Sequence, residues 1–168
     1  MVLDEVISLN PEIVAMACTP KACSDFVHLV KAQNAGMGFM TLSNTTSDEF
    51  LKAIGESGRG LVISQVVPFP WSTTEPVVKE FRQLLEASKE PVPMSYASLE
   101  GFIAAKLMVE AMRRAGRDVT RASLLTALNS MSRVDLGGLA VDYSKNGTGA
   151  GSDFVDVTMI SKNGKIIH

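Results

Sequence analysis

Three short apolar runs, the first two each leading into a helix signal, constrain this chain more than any other feature. Ile13-Val14-Ala15-Met16-Ala17-Cys18 is continuous and apolar, as a strand covered on both faces would be. Thr19-Pro20 then supplies an N-cap and a proline at the first helical position. That helix is expected to run through Phe26, Val27, Leu29 and Val30 to Asn34, with Gly36 ending it. Met37 to Leu42 reads as a second strand, and Ser43-Asn44-Thr45-Thr46 as a polar loop. Ser47 or Asp48 caps a shorter helix through Phe50, Leu51 and Ile54, stopped by Gly55 or Gly58. Gly60 to Val67 is a third strand. This succession predicts an α/β fold: a parallel, right-handed sheet flanked by helices.

Beyond Pro68 the pattern changes. Pro68-Phe69-Pro70-Trp71 fits neither helix nor central strand, because two prolines fix φ and remove backbone donors. Thr74-Glu75-Pro76 opens a helix through Val78, Phe81, Leu84 and Leu85, and Glu90-Pro91-Val92-Pro93 is a linker. A long apolar helix follows from Ser98 to the stop residue Gly116. Its Leu, Ile, Val, Met and Phe side chains cover more than one amphipathic stripe, so it calls for burial on most sides. The clear strands all precede it and the helices between them are already assigned. It therefore points to a piece of a larger two-lobed protein, or to a chain that pairs with itself. Thr120 caps another helix, with Leu124, Leu125 and Leu128 on one face. In the tail, Gly138 to Tyr143 and Phe154 to Ile160 alternate like a C-terminal antiparallel hairpin, joined by the glycine-rich stretch 144–151. Asn163-Gly164 is a second turn signal. The organisation expected is 1–71 as an α/β half-lobe, 72–132 as a helical segment and 133–168 as the hairpin.

The 168 residues are 46% hydrophobic and 20% charged, enough for one medium core. A net charge of −2 carries no basic footprint, which argues against nucleic acid as a partner. No apolar run is long enough to span a bilayer. Met1-Val2-Leu3-Asp4-Glu5 lacks the basic start and apolar core of a secretory signal. The chain as it stands reads as cytoplasmic, or as a segment of something exported.

The chemistry-bearing residues point away from catalysis. Cys18 and Cys23 are neither C-x-x-C nor a sufficient zinc set, and read as two ordinary small buried residues, with a disulfide as the alternative in an exported protein. His28 and His168 have no nucleophile or acid in a recognisable catalytic order. Gly55, Gly58 and Gly60 precede a strand, whereas a phosphate loop follows one. Glu100, Lys106 and Glu110 read as solvated or capping groups. No enzyme and no cofactor is expected. What remains is the set of strand ends, where open α/β sheets bind ligands. Cys18 to Lys21, Leu42 to Thr45 and Val67 to Trp71 offer helix-start N–H groups, hydroxyls and an aromatic, a half-site for a small polar ligand.

Three stretches carry a family resemblance: Gly58 to Trp71, Ser95-Tyr96-Ala97-Ser98-Leu99-Glu100-Gly101-Phe102, and Leu136-Gly137-Gly138-Leu139. In order and spacing, from about Asn10 onward, they resemble the second half of the type I periplasmic solute-binding proteins of ABC transporters, in the branched-chain amino acid branch. The resemblance implies two α/β lobes closing on a ligand, with this chain contributing the second lobe, the helices that return to the first, and the final hairpin. It implies that the first-lobe sheet would precede Met1, and that the Ser98 to Gly116 helix packs on it. Carried over, the ligand-binding residues are Thr19, Pro20, Lys21, Ser43, Asn44, Phe69 and Trp71. Amino-acid binders of the family offer the ligand ammonium a carboxylate and a tyrosine from this lobe. The Leu42 to Thr46 loop holds no acid, and Lys21 favours an anionic ligand. The function implied is capture of a small amino acid, carboxylate or amide for an ABC permease, in the periplasm. A stand-alone dimeric sensing or interaction module, or an inactive fragment, is the alternative. A homo-oligomer is expected.

Overall fold

The computed structural model describes residues 2–33, 36–144 and 151–168, which form two units. One comprises Met1–Gln65 with Asp156–His168, the other Val66–Val155.

The first unit is built on a five-stranded sheet. Its strands are β1 (Ile13–Met16), β2 (Gly38–Leu42), β3 (Val62–Gln65), β6 (Asp156–Ile160) and β7 (Ile166–Ile167), in that spatial order. The pairs β1–β2 and β2–β3 are parallel, while β6 joins β3 antiparallel and β7 joins β6 antiparallel. Three helices complete it: α1 (Val2–Leu9), α2 (Pro20–Ala32) and α3 (Asp48–Ile54). α1 is not among the elements expected from the sequence, although Leu3, Val6 and Ile7 recur at helical spacing with an acidic first turn. The caps are those the residues favour. Thr19 and Ser47 accept hydrogen bonds from Ala22 N and Phe50 N, Pro20 opens α2, and Gly55 ends α3 at a positive φ of 50°. Asn34, beyond the end of α2, lies outside the described residues.

Strand alternation sorts the side chains onto two faces. Phe39, Ile63 and Ile160 point into a core shared with Leu3 of α1, Val27 and Val30 of α2, and Phe50 and Ile54 of α3. The opposite face carries Ala15, Met40, Val62, Met159 and Ile167, paired in register across all five strands. On this row Ala15, Met159 and Ile167 are exposed and Met40 and Val62 half-buried.

The C-terminal pairing differs from the expected one. Ala140–Val141 (β5) pairs with Val134–Asp135 (β4), and Asp156–Ile160 pairs with β3 and β7. The two alternating stretches 138–143 and 154–160 are therefore not partners. The antiparallel pair at the C-terminus is β6–β7, which the Asn163-Gly164 turn connects, with Gly164 at φ 72°. Of the glycine-rich stretch between the expected partners, residues 145–150 lie outside the described residues.

The second unit holds α4 (Pro76–Ala87), α5 (Tyr96–Ala115), α6 (Arg121–Asn129) and the β4–β5 pair. Its long helix starts at Tyr96, two residues before Ser98. Ser95 is the N-cap, and Ser98 closes a capping box with it. Along α5, Leu99, Ile103 and Ala111 are buried, whereas Gly101, Ala104, Ala105, Met108, Val109 and Met112 form an exposed stripe at helical spacing. The expectation of burial on most sides gives way to one buried and one open face. Phe81 of α4 stacks on Phe102 of α5 at 5.4 Å, and Glu80 pairs with Lys106 across the same two helices. No described helix is long and apolar enough to cross a membrane.

Candidate functional site

The loops after β1 and β2 meet at their strand ends. Asn44 Nδ2 donates to the Cys18 carbonyl at 3.2 Å, which joins the Ser43-Asn44 loop to the start of the Thr19-Pro20-Lys21 segment. Ser43 and Asn44 open a single 3₁₀ turn, Ser43–Thr45, held by Thr46 N and Thr46 Oγ1 donating to Ser43 O. Among the described residues the Ser43 hydroxyl takes no partner. Five of the seven predicted binding residues are thus brought onto adjoining loops of the first unit.

A cavity of about 530 Å³ lies between the first turn of α2 and α3, with Thr19, Pro20 and Lys21 on its lining. Asp25, Glu49 and Phe50 line it too, which sets carboxylates beside the segment where none was anticipated. Lys21 Nζ pairs with Asp25 at 2.6 Å one turn along the helix, in a largely exposed ion pair. The Thr19 hydroxyl is engaged as helix cap. This lining therefore offers charge of both signs and the Lys21 backbone amide at the start of α2, a set that suits a small zwitterion or amide.

One feature was left open by the sequence and one went unread. Cys18 and Cys23 are not separate core residues but form a disulfide, Cα to Cα 5.7 Å. The turn from strand into helix folds the chain back so that a spacing of five brings the two together. The second is Gln65 at the carboxyl end of β3. It is fully buried, donates Nε2 to Thr158 Oγ1 at 2.9 Å, and leaves Oε1 without a protein partner among the described residues. Only a polar residue ending an otherwise apolar strand hinted at it.

Phe69 and Trp71, the other two predicted residues, belong to the second unit. There they form an aromatic cluster with Tyr96: Phe69 to Trp71 5.2 Å, Trp71 to Tyr96 6.3 Å, Phe69 to Tyr96 6.5 Å between ring centroids. Trp71 is 46% exposed and Tyr96 3%, so the buried ring backs the exposed one. Tyr96 was read only as part of a motif, and its position at the first turn of α5 is what puts it there. A larger cavity of about 750 Å³ in this unit, between α4, α5 and β4, contains none of the predicted residues. Its ion pairs are Glu80 with Lys106, and Glu110 with Arg114 at 2.8 Å.

The Leu136 to Leu139 motif has a structural explanation. Asp135 Oδ1 accepts from Gly138 N at 2.7 Å and Gly137 N at 2.8 Å, and those two bonds hold its carboxyl below the ordinary value of 3.8. Gly137 O in turn accepts from Val77 N at the start of α4, one of the amides a helix leaves open.

The family model for periplasmic binding proteins matches residues 2–165. A substrate-binding periplasmic protein from Ralstonia solanacearum is 28% identical with a TM-score of 0.84; the alignment covers 99% of this chain and 48% of that one. A leucine-binding protein from Thermotoga maritima is 17% identical, TM-score 0.80, over 99% of this chain and 46% of that one. A branched-chain amino acid ABC transporter protein from Thermus thermophilus, solved with bound valine, is 15% identical, TM-score 0.73, over 99% and 47%. The last two likenesses carry the fold alone. No curated protein matches at a significant level. The chain spans about half the length of these solved structures. With the model match running over nearly its whole length, the chain belongs to the periplasmic binding protein family.

Proposed function

We propose that this chain is the ligand-capturing part of an ABC importer, acting in the periplasm and taking a small amino acid, carboxylate or amide. The observation that carries the reading is the strand-end lip: Thr19, Pro20, Lys21, Ser43 and Asn44 on two loops tied by the Asn44 to Cys18 hydrogen bond. Ligands of open α/β sheets bind at such ends. Glu49 and Asp25 supply acceptors for an ammonium group, and the backbone amide and ammonium of Lys21 supply donors for a carboxylate. Phe69 and Trp71, in the second unit, are the other proposed binding residues and offer aromatic surface there. The chain transfers no group and breaks no bond in this role; its partners are the ligand and an ABC permease. As the chain spans half the length of its solved relatives, it carries one wall of the site, and closure against a second lobe is the mechanism.

Calorimetric titration with L-leucine, L-isoleucine, L-valine, acetate and acetamide tests this reading. Saturable binding of at least one, weakened by Ser43→Ala, supports it. Heats indistinguishable from dilution across the whole set contradict it.

A second reading, a dimeric ligand-sensing module made from the same lobe, is favoured by one feature. Among the described residues, the row Ala15-Met40-Val62-Met159-Ile167 is an apolar sheet face left exposed or half-buried. A second copy laid on that face would cover it.

A further inference from the structure

The disulfide sits inside the lip rather than beneath it. Cys18 and Cys23 bracket Thr19, Pro20, Lys21 and Ala22, so three of the proposed binding residues lie within the small ring that the bridge closes. The ring is moored at both ends. Cys23 is fully buried, and its sulfur touches Thr41 Oγ1 of β2 at 3.5 Å. The Cys18 carbonyl accepts the Asn44 amide from the loop after β2. Cys18 itself is half-buried, while Thr19 and Lys21 are exposed. Besides the bridge, what ties this exposed segment among the described residues is the Thr19 cap, the Cys23 N to Thr19 O bond of α2, the exposed Lys21–Asp25 pair and the Asn44 to Cys18 hydrogen bond.

We propose that the Cys18–Cys23 disulfide is a positioning element of the ligand site, holding the Thr19-Pro20-Lys21 lip in its binding conformation before ligand arrives. The core does not need it for packing. Cys23 fills its place under α2 as a small apolar group, bonded or not. What the bridge adds is restriction of the lip, so it acts through preorganisation: a ligand meets a segment whose ordering cost is already met by a covalent bond. The inference rests on the reading of the lip as ligand-binding. It also makes an oxidising compartment a condition of full affinity, which agrees with export.

The test compares three states of the 168-residue chain: oxidised, reduced with excess dithiothreitol, and the Cys18→Ala/Cys23→Ala double variant. Reduction converts the bridge to two thiols while the reagent closes to its own cyclic disulfide, so electrons and protons balance. Amide hydrogen exchange is read at Ala22 and at residue 23, whose N–H groups bond Thr19, and, as reference, at Met40 and Ile63. L-valine is the binding probe. The expected result is exchange about tenfold faster at the lip in both bridge-free states, with Met40 and Ile63 unchanged. Valine affinity should then fall by about tenfold. Lip exchange that ignores the bridge overturns the proposal. So does faster exchange spread equally over the sheet with valine affinity retained, the signature of a general staple. Failure of valine to bind even the oxidised chain counts against the ligand reading instead, and the exchange comparison then decides the role of the bridge alone.

Discussion

Asn44 and Cys18 lie 26 residues apart, yet the Asn44 side-chain amide donates to the Cys18 carbonyl at 3.2 Å. The contact closes the gap between two adjacent parallel strand ends, where backbone groups leave the sheet ladder and need other partners. Asn44→Ala removes the donor and leaves the carbonyl to solvent. The expected cost is small, about 0.5–1 kcal/mol by urea denaturation, because the site is exposed. Loss of order should concentrate at Thr19 to Ala22, read by amide exchange, rather than spread through β2 and β3.

Gly137 has φ 103°, and a Cβ there would lie 3.0 Å from Val77 N. Both features oppose any side chain, because the conformation is strained for L-residues and the neighbour is backbone. Gly137→Ala should destabilise the chain by about 2 kcal/mol in a thermal or urea melt. Gly101 is the contrasting position, in the middle of α5 with open space around its Cα. Gly101→Ala should stabilise by about 0.8 kcal/mol through helix propensity.

Asp135 makes stability depend on pH at the acid end. The Gly138 and Gly137 amides lower its pKa in the folded chain below 3.8, with Lys106 adding a smaller effect in the same direction. A depressed folded pKa means the contribution is fully present above 3.8 and is lost as pH falls through the lowered folded value. Asp135→Asn lacks this component. The stability gap between the two proteins should be constant from pH 7 to 5 and narrow below 3.8, measured by urea midpoints at each pH.

The open face of the first unit predicts association. Val157 and Met159 on β6 are 57% and 40% exposed on the same side as Met40 and Val62. The purified chain should therefore show a mass above the monomer in light scattering. Met159→Lys should shift it towards monomer by placing a charge in the contact. An unchanged oligomer in that variant would move the contact elsewhere, with the exposed α5 stripe of Ala104, Met108 and Met112 as the next surface to test.

What could be read in advance follows from local physics. Thr19-Pro20, Ser47, Gly55 and Thr120 cap helices where they were expected to, because each satisfies end groups within three or four residues of itself. The three parallel strands were legible as apolar runs for a similar reason. The pairing of β6 was not. Alternation in Asp156 to Ile160 shows that one face is covered but not which strand lies alongside, and β3 is ninety residues away in the chain. Cys18 and Cys23 illustrate the same gap. Their spacing permits a bridge or none, and the strand-to-helix turn that brings their Cα atoms to 5.7 Å is a property of the fold. Tyr96 behind Phe69 and Trp71 likewise depends on where α5 begins, two residues ahead of the expected Ser98.

The central claim is that the strand-end lip holds a small polar ligand. The most direct measurement is residue-resolved NMR of the oxidised chain titrated with L-valine. Shifts are expected at Thr19, Lys21, Ser43 and Asn44, saturating together, with the amides of α6 unmoved. Saturable shifts that avoid both strand-end loops, or an unchanged spectrum at millimolar valine and equally with the other ligands of the calorimetric set, would contradict it.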